Sequence, residues 1–302
     1  MGSFVADLAF RTERIPAWGE TILGAAFQLG PGGKGSNQAV AAARAGGKVT
    51  FLCKLGRDAF GDLARRTYAE EGVDTQFVFE SREQGTGAAA IIIDEARGEN
   101  AIIVVPGSGY QLTAAEVDRA RARIAESAIF MTQLEVPVPV AEHGLKLARS
   151  LGVTTILNPA PAVPFPESIY ALCDYLTPNE TEAAALTGLP VGNITEAERA
   201  ADILLARGVG SVVVTLGAQG ALVKNSKLTR HVSAVNFGAV VETTGAGDAF
   251  SGGFAVALSE GADIASAARF GCAVAGISVT RRGTAPSMPS RAEVDALLKK
   301  TL

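Results

Sequence analysis

The chain has 302 residues, of which 48% are hydrophobic and 19% are charged, and its net charge at pH 7 is −4. This composition allows a large core and excludes the basic surface that binds nucleic acid, because the 27 lysines and arginines are scattered along the sequence. Cys53, Cys173 and Cys272 lie far apart, so neither a disulfide framework nor a zinc site is indicated. Because the sequence shows no export signal and no membrane-spanning run, we expect a cytoplasmic protein without a membrane partner.

Short β-branched runs alternate with amphipathic stretches along the chain, which is typical of a parallel sheet covered by helices. The predicted strands are 49–53, 128–134, 153–158, 174–177 and 211–216. The predicted helices are 35–45, 58–71, 113–126, 137–150, 195–207, 246–259, 263–280 and 290–300. The sequence therefore predicts an α/β fold, and no linker or repeat divides residues 1–302 into separate domains.

Two regions interrupt this alternation, at residues 9–30 and 86–106. The first contains short extended pieces, and the second places two apolar runs on either side of residues 95–99, as in a β-hairpin. Neither region has a helical pattern, so we expect them to form a small sheet that projects from the main domain as a lid. Alternate hairpin residues such as Ala89, Ile91 and Val104 would cover a ligand or belong to the core.

The segment 242–250 reads ETTGAGDAF and joins a glycine-rich turn to the start of a helix. Gly245 and Gly247 let backbone N–H groups approach an anion closely, and the helix adds unpaired amides and the positive end of its dipole. A phosphate would repel Asp248, so its functional interpretation is a base that takes a proton from an attacking hydroxyl. The alternative is an ordinary N-terminal helix cap.

The segment 30–38 reads GPGGKGSNQ and precedes an alanine-rich helix. Its glycine pair lets the backbone touch a small ligand, and Asn37 offers a donor and an acceptor that suit vicinal hydroxyls. This chemistry fits a sugar. The alternative is a flexible helix entry with Asn37 as a surface amide.

Four ordered segments resemble the ribokinase family of carbohydrate kinases, also called the PfkB family. They are 32–37, 178–182 (PNETE), 215–220 (TLGAQG) and 243–248, and the likeness extends to 133–135 (QLE), 158–161 (NPAP) and 280–287 (TRRGTAPS). The resemblance implies a three-layer α/β/α fold with a mostly parallel central sheet. It also implies a β-sheet lid that pairs with another subunit's lid in a homodimer, and a sugar and ATP as ligands.

The resemblance implies that Asp248 activates a primary hydroxyl of the sugar. Gly245, Ala246 and Gly247 would form the anion hole for the transferring phosphoryl group, whose charge fixed backbone donors stabilise. The implied sugar-binding residues are Asp7, Gly33, Lys34, Asn37, Glu135 and Asp248 itself. Without the resemblance, Asp7 reads as an exposed turn residue and Glu135 as a charge at the end of a strand.

On the nucleotide side, the resemblance implies binding by Asn179, Thr215, Gly217, Gly220, Gly247 and Cys272. Glu182 would place the Mg²⁺ that accompanies ATP through water, since Mg²⁺ keeps much of its hydration shell. The alternative for Glu182 is a solvated helical face, with Asn179 as the cap. The implied monovalent-cation positions are Glu242, Thr244, Ser278, Arg281, Gly283 and Ser287, and they leave activation by K⁺ open.

Three features depart from the family pattern. Val5 stands where the family usually has asparagine, so one sugar hydroxyl loses a partner and the preference can shift towards a deoxygenated or differently configured sugar. Glu242 stands where many relatives have aspartate, which would weaken or reshape the cation site. Only Met1 precedes Gly2, which predicts a short first strand.

The main hypothesis is an ATP-dependent kinase that transfers the γ-phosphoryl group to the primary hydroxyl of a pentose, with ribose as the leading substrate and ribose 5-phosphate as its product. The alternatives are a related kinase acting on another sugar or on a nucleoside, and a catalytically silent sugar-binding protein. His143, His231 and Trp18 receive no role, because the histidines have no partners at a meaningful spacing and Trp18 fits a subunit contact as well as a sugar.

Overall fold

The computed structural model describes residues 1–94, 96–97 and 99–301. Its strands are β1 (Val5–Thr12), β2 (Ala26–Gly32), β3 (Thr50–Gly56), β4 (Asp74–Ser81), β5 (Thr86–Asp94), β6 (Glu99–Gly107), β7 (Ile129–Thr132), β8 (Thr154–Leu157), β9 (Tyr175–Leu176), β10 (Ser211–Thr215), β11 (Ala221–Asn225) and β12 (Thr229–Val232). Its α-helices are α1 (Lys34–Arg44), α2 (Ala59–Glu70), α3 (Ala114–Arg119), α4 (Arg121–Ala125), α5 (Val138–Ser150), α6 (Glu180–Thr187), α7 (Ile194–Ala206), α8 (Ala246–Ser259), α9 (Ile264–Ser278) and α10 (Arg291–Lys300).

The largest sheet has six strands in the order β12-β11-β10-β9-β8-β7. Strands β7 to β10 pair in parallel, and β11 and β12 add an antiparallel edge. Parallel neighbours need crossover connections, which contain α5 between β7 and β8, a 3₁₀ helix (Glu167–Leu172) between β8 and β9, and α6 and α7 between β9 and β10. The carboxyl ends of β7 to β10 therefore lie at one edge of the sheet, where ligands bind in such folds. The segments that follow these four strands begin at residues 133, 158, 177 and 216.

Helices cover both faces of this sheet because its strands are apolar on both faces. In β10, Val212 and Val214 pack into a cluster with residues of α3 to α7. Val213 points the other way, into a cluster with α1, α8, α9 and α10, as the alternation of side chains along a strand requires. The result is the three-layer α/β/α arrangement that the resemblance implies.

A second sheet has four strands in the order β2-β1-β5-β6. Strand β1 is antiparallel to β2 and parallel to β5. Strands β5 and β6 form the predicted hairpin, in register from the pair Thr86 and Gly107 to the pair Asp94 and Glu99. Glu95 and Gly98 of the predicted hairpin segment 95–99 lie outside the described residues.

The first strand differs from its prediction. Strand β1 has eight residues and begins after Gly2 and Ser3, so the expectation of a short strand is wrong. It is long because it pairs along its course with β2 on one side and β5 on the other. The predicted helix 113–126 is also divided, since the chain leaves the regular α-helix at Ala120 between α3 and α4.

The three cysteines are core residues. Cys53, Cys173 and Cys272 are free and buried. Burial raises the pKa of each thiol to about 12, which makes these cysteines unreactive core residues. No helix in the described part of the chain is long and apolar enough to span a membrane.

Candidate active site

Asp248 lies in the first turn of α8, directly after a glycine turn. Gly245 caps this helix with φ 80°, a left-handed conformation that glycine adopts most readily. In the hydrogen bonds of the described residues, the N–H groups of Gly247 and Asp248 have no backbone partner. A Cβ added at Gly247 would meet nothing within 4 Å. The turn therefore offers free donors and open space to an anion.

The Asp248 carboxylate faces α1 rather than its own helix. Its side chain is only 6% exposed, and Asn37 Nδ2 donates to Oδ2 at 3.0 Å while Gln38 Nε2 donates to Oδ1 at 2.9 Å. Burial raises the pKa of Asp248, whereas the charge of Lys34 and the two amide donors oppose that rise. Gly245 is the cap of α8, so the interpretation of Asp248 as an ordinary helix cap is wrong.

Asn37 reaches Asp248 from the first turn of α1. The chain enters this helix at Gly33 with φ 86°, and a Cβ there would lie 2.6 Å from the backbone nitrogen of Val5. Asn37 is 4% exposed, so its interpretation as a surface amide is wrong. Its Oδ1 is buried and has no hydrogen-bond partner among the described residues. An orphaned acceptor of this kind costs about 1–3 kcal/mol, which a hydroxyl group of a ligand would recover by donating to it.

Asp7 lies on β1, in register with Gly30 of β2 and Ala89 of β5. A Cβ on Gly32 would lie 2.3 Å from Asp7 Oδ2, so only glycine leaves room for this carboxylate. Burial raises the pKa of Asp7 to about 6, and a hydrogen bond from Thr284 opposes the rise. Asp7 is therefore a partly buried carboxylate beside the segment 280–287, rather than an exposed turn residue.

Glu135 and Lys34 meet near the start of α1. Glu135 follows β7, and its Oε2 accepts from the backbone N–H of Lys34 at 2.8 Å and from the hydroxyl of Ser3. Burial alone would lower the pKa of the Lys34 ammonium, but the carboxylates of Asp248, Glu135 and Glu182 raise it above its usual value. Lys34 is therefore a charged ammonium that interacts with carboxylates from three separate segments.

The predicted nucleotide segments come together after β9 and β10. Asn179 forms a parallel bridge with Thr215, and the N–H of Thr215 donates to the carbonyl of Pro178 at 2.9 Å. Gly217 and Gly220 both have positive φ, and a Cβ on Gly220 would lie 2.1 Å from the carbonyl oxygen of Val232. Both glycines are therefore required by this turn.

Cys272, the remaining predicted nucleotide residue, lies in α9 within the apolar cluster that contains α8 and α10. Its neighbours in that cluster are apolar side chains.

Asn179 and Glu182 form a capping box at the start of α6. Asn179 Oδ1 accepts from the N–H of Glu182 at 2.7 Å, and Glu182 Oε2 accepts from the N–H of Asn179 at 2.9 Å. Asn179 is thus the helix cap, as the alternative interpretation has it. Glu182 is 7% exposed and burial raises its pKa, so the solvated face proposed for it is wrong.

The predicted cation positions belong to two segments that lie side by side. Glu242 Oε2 accepts from the N–H of Gly283 at 3.1 Å. The carbonyl of Ser278 accepts from the N–H of Arg281 at 3.0 Å, and the hydroxyl of Ser287 donates within its own turn. The Arg281 guanidinium forms an ion pair with Glu293 of α10, so its side chain points to that helix. Within the described ranges, no group of three His, Cys, Asp or Glu residues could hold a metal ion.

A cavity of about 470 Å³ opens between the four-stranded sheet and these segments. Asp7, Glu242, Thr244, Gly283 and Thr284 line it. A larger cavity of about 780 Å³ lies elsewhere, between α1, β3 and β7, and none of the predicted site residues lines it. The smaller cavity is therefore the one associated with the candidate site.

A buried polar group beside Asp248 has no role predicted from the sequence; it consists of Gln38, Gln133 and Asn158. Gln38 donates to Asp248 and to Asn158 Oδ1, and it accepts from Gln133. The signal available in the sequence was the polar pair Asn37 and Gln38 at the start of an alanine-rich helix. That these three side chains are buried together beside Asp248 is visible only in the folded structure.

The residues without a predicted role lie apart from this group. His143 contacts Asp118 at 2.9 Å, and His231 contacts the carbonyl of Gln219 at 2.6 Å. Trp18 is fully exposed.

Comparisons with known proteins agree on one family. The profile described as "pfkB family carbohydrate kinase" matches residues 1–291. The chain is 39% identical to a ribokinase of Haemophilus influenzae, over 97% of the chain and 95% of that protein. It is 37% identical to a deoxyribokinase of Salmonella typhi, over 96% of the chain and 94% of that protein.

A solved structure of Arabidopsis thaliana ribokinase complexed with ribose and ATP superimposes with a TM-score of 0.94. It is 33% identical in sequence, and the match covers 99% of this chain and 97% of that one. The ribokinase-like α/β fold expected from the sequence is thereby confirmed.

Proposed function

The chain belongs to the pfkB family of carbohydrate kinases and is an ATP-dependent sugar kinase, and we propose that Asp248 is its catalytic base, with ribose as substrate and ribose 5-phosphate as product. The observation that carries the assignment to Asp248 is its position in α8. A buried carboxylate lies one residue after a free glycine N–H at a helix N-terminus, so a base and an anion site are adjacent. The names of the relatives support ribose.

In the proposed reaction, Asp248 accepts the proton of the primary hydroxyl as that oxygen attacks the γ-phosphorus of ATP. The bond between the γ-phosphorus and the bridging oxygen breaks, and ADP leaves. The N–H groups of Gly247 and Asp248 and the dipole of α8 stabilise the charge on the transferring group. The positive charge of the Lys34 ammonium supports the same step electrostatically, because it interacts with Asp248 and with the carboxylates of Glu135 and Glu182.

Asp7, Asn37 and Glu135 would hold the sugar. Asn37 Oδ1 is a buried acceptor without a partner, and Asp7 is a partly buried carboxylate of raised pKa. Sugar hydroxyls donate strongly to such oxygens. Gly33 supplies the close backbone approach, since its neighbour Val5 leaves no room for a Cβ.

The nucleotide would lie against Asn179, Thr215, Gly217 and Gly220, at the carboxyl ends of β9 and β10. Mg²⁺ bound with ATP neutralises phosphate charge. Both carboxylate oxygens of Glu182 already accept a hydrogen bond from Asn179, which leaves fewer lone pairs for direct coordination and fits contact through water. Cys272 would contribute only an apolar surface to the nucleotide site, because its neighbours in the cluster are apolar.

A monovalent cation such as K⁺ would lie near Glu242, Thr244, Ser278, Arg281, Gly283 and Ser287. The hydrogen bond from Gly283 to Glu242 supports this assignment, since it joins the two segments that would share the ion. We also propose that the four-stranded sheet is a lid over the sugar and the contact surface of a homodimer. We propose the cytoplasm as the location of the protein, since free, buried cysteines suit a reducing compartment.

The variant Asp248→Asn tests the assignment of the base. We expect it to bind ribose and ATP, measured by calorimetry, and to lose roughly 10²- to 10⁴-fold in kcat, because it cannot accept the proton. The matched control is Asp118→Asn, a surface aspartate that contacts His143 and lies outside the site. Turnover of Asp248→Asn close to that of the control would contradict the assignment.

A second candidate substrate is 2-deoxyribose. Val5 and Asp7 point to the same face of β1, and the Val5 side chain is buried and apolar, so it offers no hydrogen bond to a hydroxyl. The identity to a deoxyribokinase supports this reading. A panel of pentoses, deoxyribose and nucleosides with ATP discriminates the candidates through their ratios of kcat/KM. Sugar binding without phosphorylation of any member would instead indicate a silent binding protein.

A further inference from the structure

A chain of buried amide groups lies behind Asp248 and connects α1 to the ends of three central strands. Gln38 of α1 is fully buried, and its Nε2 donates to Asp248 Oδ1 at 2.9 Å and to Asn158 Oδ1 at 3.0 Å. Its Oε1 accepts from Gln133 Nε2. Both hydrogens of the Gln38 amide are therefore committed, one of them to the carboxylate.

The orientation of this amide is fixed by a backbone group. Asn158 Nδ2 donates to the carbonyl oxygen of Thr177 at 2.8 Å. A carbonyl only accepts, so Asn158 must turn its nitrogen to Thr177 and its oxygen to Gln38. That oxygen requires a donor, which identifies the facing atom of Gln38 as Nε2. A reversed Gln38 would place its oxygen against two other oxygens, so the reversed orientation is strongly disfavoured.

We propose that Gln38 is a positioning residue for phosphoryl transfer, which holds the Asp248 carboxylate charged and oriented through a hydrogen bond anchored on the Thr177 carbonyl. This inference rests on the proposed role of Asp248 as the base. Hydrogen bonds from neutral amides stabilise a carboxylate relative to its protonated form. Within this network both oxygens of Asp248 face donors, so an acquired proton finds no acceptor there and must leave on the ligand side.

The charges around Asp248 give the sign of the effect. Burial raises the pKa of Asp248, the Lys34 ammonium lowers it, the donors Asn37 and Gln38 lower it, and the Glu135 carboxylate raises it. Asp7 and Glu182 also interact with Asp248 through their charges. Removal of the Gln38 donor leaves the opposing contributions unchanged, so the pKa of Asp248 rises further.

The test is the dependence of kcat on pH, measured with ribose and ATP for the full-length enzyme. We expect Gln38→Met, which keeps the length of the side chain and removes its donor, to shift the acid limb of the profile upward by about one pH unit. The KM for ribose should change little, because Gln38 does not face the open site. The control Gln133→Met removes the partner of Gln38 Oε1 and leaves both Nε2 bonds, so its acid limb should stay in place.

Gln38→Glu is the second variant and serves if Gln38→Met does not fold. It keeps the shape and places an oxygen opposite Asp248 Oδ1, so its acid limb should move in the same upward direction. An unchanged acid limb in the folded variant would overturn the inference, as would a loss confined to the KM for ribose. Asp248→Asn separates the two proposals: if it is inactive while the Gln38 profile is unchanged, only the role of Gln38 fails.

Discussion

Asp7 is a carboxylate whose burial is not balanced by a full ion pair, and this predicts a dependence of stability on pH. Its folded-state pKa is raised from 3.8 to about 6. The folded protein therefore holds a proton that the unfolded chain releases between pH 4 and 6, so Asp7 lowers stability as pH rises through this window. The raised pKa corresponds to about 2 kcal/mol once partial exposure is considered.

The variant Asp7→Asn removes this titration. We expect its free energy of unfolding, relative to the original protein and without sugar, to increase by about 2 kcal/mol between pH 4 and pH 7. Denaturant unfolding at several pH values measures the difference. A difference that is constant over this range would contradict a raised pKa for Asp7.

Individual site residues differ in how far the sequence could predict them. Asn37 and Asp248 stand in glycine-rich segments whose chemistry is local, and the structure brings their side chains into contact. Gln38, Gln133 and Asn158 act as a group, yet 95 positions separate the first two. No local pattern indicates such a group, because its polar satisfaction depends on three strands ending at the same edge.

The glycine turn before α8 makes different demands at its two glycines. Gly245 needs a positive φ, so Gly245→Ala should cost about 1 kcal/mol of stability.

A Cβ at Gly247 meets no atom within 4 Å, so Gly247→Ala should leave the free energy of unfolding nearly unchanged. The added methyl group would nevertheless occupy the space before the free N–H groups, and we expect kcat/KM for ATP to fall roughly 10- to 100-fold.

The matched control for Gly247→Ala is Gly192→Ala, an exposed loop position between α6 and α7. Thermal unfolding and steady-state kinetics should show a loss of activity without a loss of stability for Gly247→Ala, and neither for the control. Full activity of Gly247→Ala would mean that this turn does not bind the transferring phosphate.

At the level of elements, helix starts were predicted well because their signals are local. Asp58 and Asp263 each accept hydrogen bonds from the first turn of their helices, and Ser290 begins a capping box. The division at Ala120 has no such signal, because neither glycine nor proline interrupts 114–125. Strands β11 and β12 were not predicted. The side chains of β12 are mostly exposed, so this segment is a strand only because it pairs with β11.

For the whole molecule, the four-stranded sheet has one face towards the cavity and one apolar face towards solvent. The register aligns Leu29, Leu8, Ala90 and Ile103 across the sheet, opposite to the face of Asp7. Ile103 is 68% exposed, and the neighbouring row includes Phe10 and Phe27, whose ring centroids are 5.0 Å apart. An exposed apolar patch of this kind suits a second copy of the chain.

We therefore expect a homodimer that Ile103→Lys weakens. In a two-fold interface the change occurs twice, and the loss of two buried isoleucines corresponds to a roughly 100-fold rise in the dimer dissociation constant. Analytical ultracentrifugation measures it, with Leu23→Lys as a control that adds the same charge at an exposed position outside the strands. An equal effect of both variants, or a monomeric original protein, would rule out this contact.

The proposed reaction transfers a phosphoryl group from ATP to the primary hydroxyl of ribose. Phosphorus NMR of the product identifies the position of transfer, because a phosphate on the primary carbon couples to two methylene protons. We expect ribose 5-phosphate, with a signal split by two protons and one ADP formed per sugar. A phosphate coupled to a single ring proton, or no phosphorylated ribose at all, would contradict it.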